Sequence, residues 1–113
     1  MTQSPLTLVA GEALAANRRV KVTGEKTVSY ADASDDSAFV GVTIAGVASG
    51  EVVGVALKTA AQTFELECAD AVAAGAAIYA ANDGEITDTT GTTIIGYALE
   101  AGAAGDIIDC ILV

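Results

Sequence analysis

The chain has no histidine and no tryptophan, a single proline, two cysteines, and only two Phe and three Tyr. Cations are nearly as scarce, with 5 Lys+Arg against 15 Asp+Glu for a formal net charge of −10. Each shortage closes a class of function. Histidine is the commonest general base and metal ligand, so Ser-His-Asp and Cys-His nucleophile activation and His-liganded zinc are excluded. A charge of −10 opposes phosphate backbones and anionic bilayers, which are held by Lys/Arg patches, so neither nucleic acid nor membrane is expected as a partner. Cys68 and Cys110 form no CxxC pair and read as two partly buried thiols rather than a zinc or redox motif. No basic start opens Met1 to Asn17, and Glu12 interrupts its apolar residues, so no secretory signal is expected. The longest uncharged run, Ser37 to Gly50, falls short of the roughly 20 residues that span a bilayer. The expectation is a soluble protein made in the cytoplasm, with no cofactor and no bound metal.

What remains is apolar but small. The 113 residues are 52% hydrophobic, enough for one folded domain, yet 24 are Ala and 12 are Gly. At roughly 25 cal/mol per Å² buried, an Ala/Gly-rich core stabilises poorly against an ordering cost of about 1–2 kcal/mol per residue. Composition therefore predicts a thin core whose stability a partner surface completes.

Period-2 alternation recurs between turn residues. Arg19 to Val22 and Thr27 to Tyr30 flank the turn Thr23-Gly24-Glu25-Lys26 as a hairpin, and Phe39 to Ile44 and Val52 to Leu57 flank Ala48-Ser49-Gly50-Glu51. Thr63 to Cys68 alternates Phe64, Leu66 and Cys68 with Glu65 and Glu67. Ile78-Tyr79-Ala80 and Glu85-Ile86-Thr87 bracket Asn82-Asp83-Gly84, and strands follow over Thr93 to Leu99 and Asp106 to Val113. Only Asp70 to Ala74 suggests a helical turn, capped by Asp70 and ended by Gly75. Two segments match others internally. Ala10 to Asn17 resembles Ala74 to Ala81 at an offset of 64, and Val40 to Val53 resembles Ile95 to Ile108 at an offset of 55. The reading is an all-β single domain, a small β-barrel or β-tulip-like fold with an internal pseudo-two-fold duplication. Its repeat units are about 10–57 and 74–112, the second shorter by nine residues in its central loop.

Charge divides unevenly between these copies. All five cations, Arg18, Arg19, Lys21, Lys26 and Lys58, precede residue 59, which leaves residues 59–113 with nine carboxylates and a charge of −9. Asp32, Asp35 and Asp36 supply oxygen ligands for a loosely held Ca²⁺ but lack EF-hand spacing, so a solvated loop is the better reading. Asn82-Asp83-Gly84-Glu85 reads as a hairpin turn. Glu65 and Glu67 share a strand face, where solvation is preferred to acid–base chemistry. Arg19 and Lys21 lie opposite Val20 and Val22, a solvated face that could meet an acidic partner. No constellation is catalytic, and no enzyme is expected. Residues 1–9 stand outside the repeat as a flexible N-terminal arm before a domain over 10–113. The candidate binding residues of that arm are Thr2, Gln3, Ser4, Pro5, Leu6, Thr7, Leu8 and Val9, suited to adding a strand to another protein's sheet edge.

The succession L-V-A-G-E-A-L and R-V-K-V, F-V-G-V-T-I and S-G-E-V-V-G-V-A-L, A-G-A-A-I-Y-A-A-N-D-G-E-I, and I-I-G-Y-A-L with G-D-I-I-D-C-I-L-V resembles the small capsid decoration, or cement, proteins of tailed bacteriophages. The resemblance runs from Leu8 to Val113 and rests on glycine spacing and strand rhythm. It implies a homotrimeric structural protein of the virion, seated on the outside of an assembled head and bound to the major capsid protein through the arm. Two other classes compete. Lipoyl and biotinyl carrier domains are also small, acidic, duplicated β folds with a lysine at a hairpin tip, where Lys26 stands, but the flanking residues differ. A carbohydrate-binding module would need exposed aromatics, and only Tyr30, Tyr79 and Tyr97 could serve, the last two expected in the core.

Overall fold

The computed structural model describes residues 6–35, 38–59, 62–89 and 93–113. Ten strands form in chain order: β1 Leu6–Ala10, β2 Arg19–Gly24, β3 Thr27–Tyr30, β4 Gly41–Thr43, β5 Val52–Leu57, β6 Phe64–Glu67, β7 Ala77–Ala80, β8 Ile86–Thr87, β9 Gly96–Ala98 and β10 Ile107–Leu112. The first five close into a barrel in the order β1-β3-β2-β4-β5, and the last five make a curled sheet in the order β6-β10-β9-β7-β8. Strands β2 to β10 stand where alternation placed them, and both hairpins and the two long pairs are antiparallel as read. Asp70 to Ala74 is not a helical turn. Val72 there makes an isolated bridge with Gly102, so a cross-chain pairing overrides alanine's helix preference. The one helical element among the described residues is a 3₁₀ turn at Asn82–Gly84.

Strand registers establish the duplication and correct its alignment. In β4–β5 the partners are Gly41 with Leu57, Val42 with Ala56 and Thr43 with Val55. In β9–β10 they are Gly96 with Leu112, Tyr97 with Ile111 and Ala98 with Cys110, the same register at an offset of 55. The earlier strands correspond at an offset of 58, not 64. Leu8 pairs with Val53 as Leu66 pairs with Ile108, Val20 with Gly41 as Ile78 with Gly96, and Val28 with Val22 as Ile86 with Ala80. The parallel contact of Ala10 with Val28 recurs as the Cys68–Ile86 bridge that curls the second sheet. The repeats thus begin with β1 and β6, and the second copy loses three residues between its third and fourth strands. Alanine-rich stretches match one another under many shifts, whereas a ladder of hydrogen bonds tolerates one.

This register makes β1 a barrel strand. It pairs with β5 from Leu6 to Val9 and with β3 at Val9 and Ala10. Leu6, Thr7, Leu8 and Val9 therefore do not belong to a free arm. Their alternation buries Leu8 and Ala10, and both edges of the strand are already occupied. Thr2, Gln3, Ser4 and Pro5 lie outside the described residues.

Each unit has its own core, and neither core is built of alanine. Leu8, Leu14, Val20, Val28, Val53 and Val55 fill the barrel with Ala10 as its only alanine. Phe64, Leu66, Cys68, Val72, Ile78, Ile86, Ile95, Ile108 and Cys110 fill the second unit. Only Ala10, Ala31, Ala81 and Ala98 are buried alanines among the described residues, so most of the small side chains lie in turns and on outer faces. The expected Ala/Gly-rich core is replaced by a branched aliphatic one.

Glycine is required where two strands approach. A Cβ at Gly41 would collide with the Ala56 carbonyl, and one at the equivalent Gly96 with the Ile111 carbonyl. Gly41→Ala and Gly96→Ala are each expected to lower unfolding free energy by more than about 2 kcal/mol. Gly46→Ala, whose Cβ would stand 3.5 Å from its nearest neighbour, the Leu14 carbonyl, is expected to cost under about 1 kcal/mol. Urea titration followed by circular dichroism measures all three.

Candidate interaction surfaces

The two units meet through one face of the barrel. Val20 points into the barrel core, so its neighbour Arg19 points outward, beside Val42, its partner on β4, and Ala56, the partner of Val42 on β5. This outer row would face water in an isolated barrel. Here it is covered by the second unit: Phe39 and Val42 belong to the second unit's buried cluster, with Ala56 packed against it. Arg19 is completely buried. Its Nη2 donates to the Ala81 carbonyl at 2.6 Å and its Nε to the Glu85 carbonyl at 3.1 Å, and its guanidinium lies 5.2 Å from the Phe39 ring centre. Arg18 donates to the Asp83 carbonyl at 3.0 Å and pairs with Glu67 at 3.0 Å, while stacking 5.6 Å from Tyr30. Gly84 makes this closeness possible. A Cβ there would stand 2.5 Å from the Arg19 carbonyl oxygen and 2.9 Å from Arg18 Cβ.

The expectation that Arg19 and Lys21 form one solvated face therefore fails at Arg19, whose outward face is the joint itself. Lys21 pairs with Asp35 at 2.9 Å, and Asp35 also accepts the Asp32 N–H at 2.9 Å. The Lys21 hydrogen bond holds the Asp35 carboxyl below its ordinary range and lifts the Lys21 ammonium. That loop is tied down by its own charges; Asp36 lies outside the described residues, and no group of three metal-ligating side chains is present among those described. Glu65 is exposed, while Glu67 turns into the joint. Burial raises the Glu85 carboxyl there, opposed by Arg18 and reinforced by a hydrogen bond with Glu67. Asn82-Asp83-Gly84 is the expected hairpin turn, and it also supplies acceptors to Arg18.

Cys68 and Cys110 are free and fully buried in the second core. Burial pushes the Cys110 thiol from 9.0 up to about 12 and raises Cys68 as well, so neither is a ready nucleophile. Lys26 occupies the β2–β3 turn at φ 50°. Tyr30 accepts the Ala15 N–H at 2.7 Å through its hydroxyl, and Tyr79 is half-buried. Tyr97 is not core: it stands on the exposed outer face of β9, opposite Ile111 of β10. An apolar strand predicted burial for Tyr97, but its alternate neighbours Gly96 and Ala98 are the ones turned inward. A cleft lined by Asn17, Val42, Ala56, Phe64, Glu65 and Asp109 marks the seam between the units.

The chain is thus a duplicated all-β protein in which a closed barrel packs against a curled sheet, with Arg18 and Arg19 in the joint and apolar residues on its outer faces. The family profile described as phage cement protein matches residues 2–113, and the chain belongs to that family. A solved structure titled the crystal structure of head fiber gp8.5 N base in bacteriophage phi29 shares the fold. It superposes with a TM-score of 0.80 at 19% identity, over 96% of this chain and 92% of that one. Among curated protein sequences nothing matches. The chain is thus of a phage structural, capsid-associated family, and the resemblance read from strand rhythm is confirmed.

Truncating Arg19 to alanine should cost about 3–5 kcal/mol, because it strips buried acceptors of their cation, whereas Lys26→Ala should stay within about 0.5 kcal/mol. Urea unfolding at pH 7 reads both. The raised Cys110 value sets an alkaline limit. The folded thiol keeps its proton above pH 9 while the unfolded one loses it, so the stability this group contributes is complete below pH 9 and falls as pH rises toward 12. The loss reaches about 1.4 kcal/mol at pH 10. The urea midpoint should decline between pH 8 and 10.5, and decline less steeply in Cys110→Ala; equal slopes would remove the thiol as the cause.

Proposed function

We propose that the chain attaches to the outer surface of an assembled phage capsid and stabilises it, with the major capsid protein as its partner. The observation that carries this reading is the cement-family match across residues 2–113. Binding the assembled shell and not its free subunits stabilises the shell by mass action and needs no catalysis. The protein acts as a homotrimer on the virion exterior after synthesis in the host cytoplasm, and it is not an enzyme. The strongly acidic residues 59–113 form the solvated side, away from the shell.

The attachment arm is Thr2, Gln3, Ser4 and Pro5, immediately before β1. Both edges of β1 are engaged within the barrel, so any strand given to a capsid sheet must come from the residues ahead of Leu6. Deleting residues 1–9 would take out a barrel strand and could not separate binding from folding. Deleting residues 1–5 leaves every described strand in place. Co-sedimentation with expanded and unexpanded heads is expected to show the full chain on expanded heads only, raising their resistance to heat and dilution. The shortened chain should fold and stay in the supernatant. Full-strength attachment by the shortened chain would remove the arm from the mechanism, and failure of the full chain to bind any head would remove the capsid reading.

A further inference from the structure

The duplication shows what the exposed face of the second unit is for. Four residues of the barrel that lie at the joint, Phe39, Val42, Ala56 and Lys58, correspond at the offset of 55 to Ile94, Tyr97, Ile111 and Val113. Phe39 and Val42 are 3% exposed beneath the second unit, whereas Ile94, Tyr97 and Ile111 are each 39% exposed and Val113 is 78% exposed. The second unit therefore presents the same face without a comparable cover among the described residues. The surface that covers the barrel's face also has an uncovered counterpart. Phe64 and Glu67, which take part in the joint from the second unit, correspond at the offset of 58 to Leu6 and Val9, 44% and 37% exposed.

We infer that the Ile94–Tyr97–Ile111 face of one copy docks on the Leu6–Val9 end of the barrel of a second copy, repeating between chains the contact made within the chain. Polar and steric features change on both sides together. Arg18 and Arg19 become Ala76 and Ala77, and the Glu67 carboxylate that Arg18 needs becomes Val9, so no buried cation is left without its anion. Gly84, which abuts Arg18, becomes Lys26, and Tyr30, on which Arg18 stacks, becomes Asp88. A large side chain against glycine is thus exchanged for alanine against a large side chain, and Lys26 of one copy is directed to Asp88 of the next. Charge favours this pairing over a contact between two second units, which would set −9 against −9, while the first 58 residues sum to about −1. A contact between unlike faces is heterologous and closes into a ring when the rotation per subunit permits, which suits the trimer proposed above. The inference deepens that self-association and does not depend on capsid binding.

The test is the mass of the full chain in solution, by sedimentation velocity and light scattering, with circular dichroism melts to confirm folding. The native chain is expected to be a closed oligomer. Tyr97→Asp and Leu6→Asp should each be folded monomers, and an equimolar mixture should give a dimer, because one intact face remains on each chain. Lys26→Glu and Asp88→Lys should each weaken assembly at least tenfold, and a chain carrying both should regain it. A native monomer at high concentration would overturn the inference. So would Tyr97→Asp keeping the native mass, which would leave the face to the capsid partner, a single variant that dimerises alone, which would indicate like faces meeting, or a mixture that stays monomeric, which would show that the two faces do not meet each other. Head co-sedimentation is scored separately, so loss of assembly and loss of capsid attachment are told apart.

Discussion

The arrangement depends on burying one guanidinium. Arg19 stands on the outside of a closed barrel, and a charge taken out of water there is tolerable only if acceptors surround it. The second unit brings them, as the carbonyls of Ala81 and Glu85 at 2.6 and 3.1 Å, with the ring of Phe39 alongside. These acceptors come from one short segment that turns through Asn82–Gly84, and that segment can approach because residue 84 has no side chain. Buried charge, tight turn and glycine are one device. It fixes which face of the barrel is covered, since an apolar contact of Phe39 and Val42 alone would be far less particular about register.

The joint also explains why the copies differ in closure. The first five strands form a complete barrel, and the last five a sheet curled through a single bridge between Cys68 and Ile86. Phe39, Val42 and Ala31 from the first half are part of the core of the second. An open sheet would expose its interior; the outer face of the barrel completes that interior, so the second unit is finished by the first. The reverse is not true, because among the described residues the barrel core contains none beyond Val55.

Most of the strands were legible in the sequence because alternation reports which side chains share a face, and this property is local. Val20 against Arg19, and Phe64 and Leu66 against Glu65 and Glu67, were sorted correctly onto opposite faces. What covers each face is a long-range matter, and there the reading failed in both directions. Charge on an outer face ordinarily means water, which predicts a solvated Arg19, and an apolar strand ordinarily means burial, which predicts Tyr97 in the core; the structure reverses both. The repeat was half legible for a similar reason. Glycines at 41 and 96 and at 50 and 105 mark fixed backbone requirements and kept the second half in register. Leu6 to Val9 and Phe64 to Glu67 share only an apolar pair, Leu6 and Leu8 with Phe64 and Leu66, too little to outweigh a longer run of coincident alanines.

Divergence between the copies accounts for the charge asymmetry noticed in the sequence. Arg18 and Arg19 are committed to the joint, Lys21 to Asp35, and Lys58 lies over the ring of Phe39 at 4.6 Å. The equivalents of Arg18, Arg19, Lys21 and Lys58 in the second copy are Ala76, Ala77, Tyr79 and Val113. Arg18 and Arg19 lock the first copy's outer face onto the second unit, while Lys21 and Lys58 meet Asp35 and Phe39 within the first. The second copy kept the same positions uncharged and left its carboxylates unbalanced on the surrounding surface. The charge of −9 and the apolar face are therefore two consequences of one fact: the second unit holds the counterpart of the barrel's covered face without the buried arginines that tie that face down.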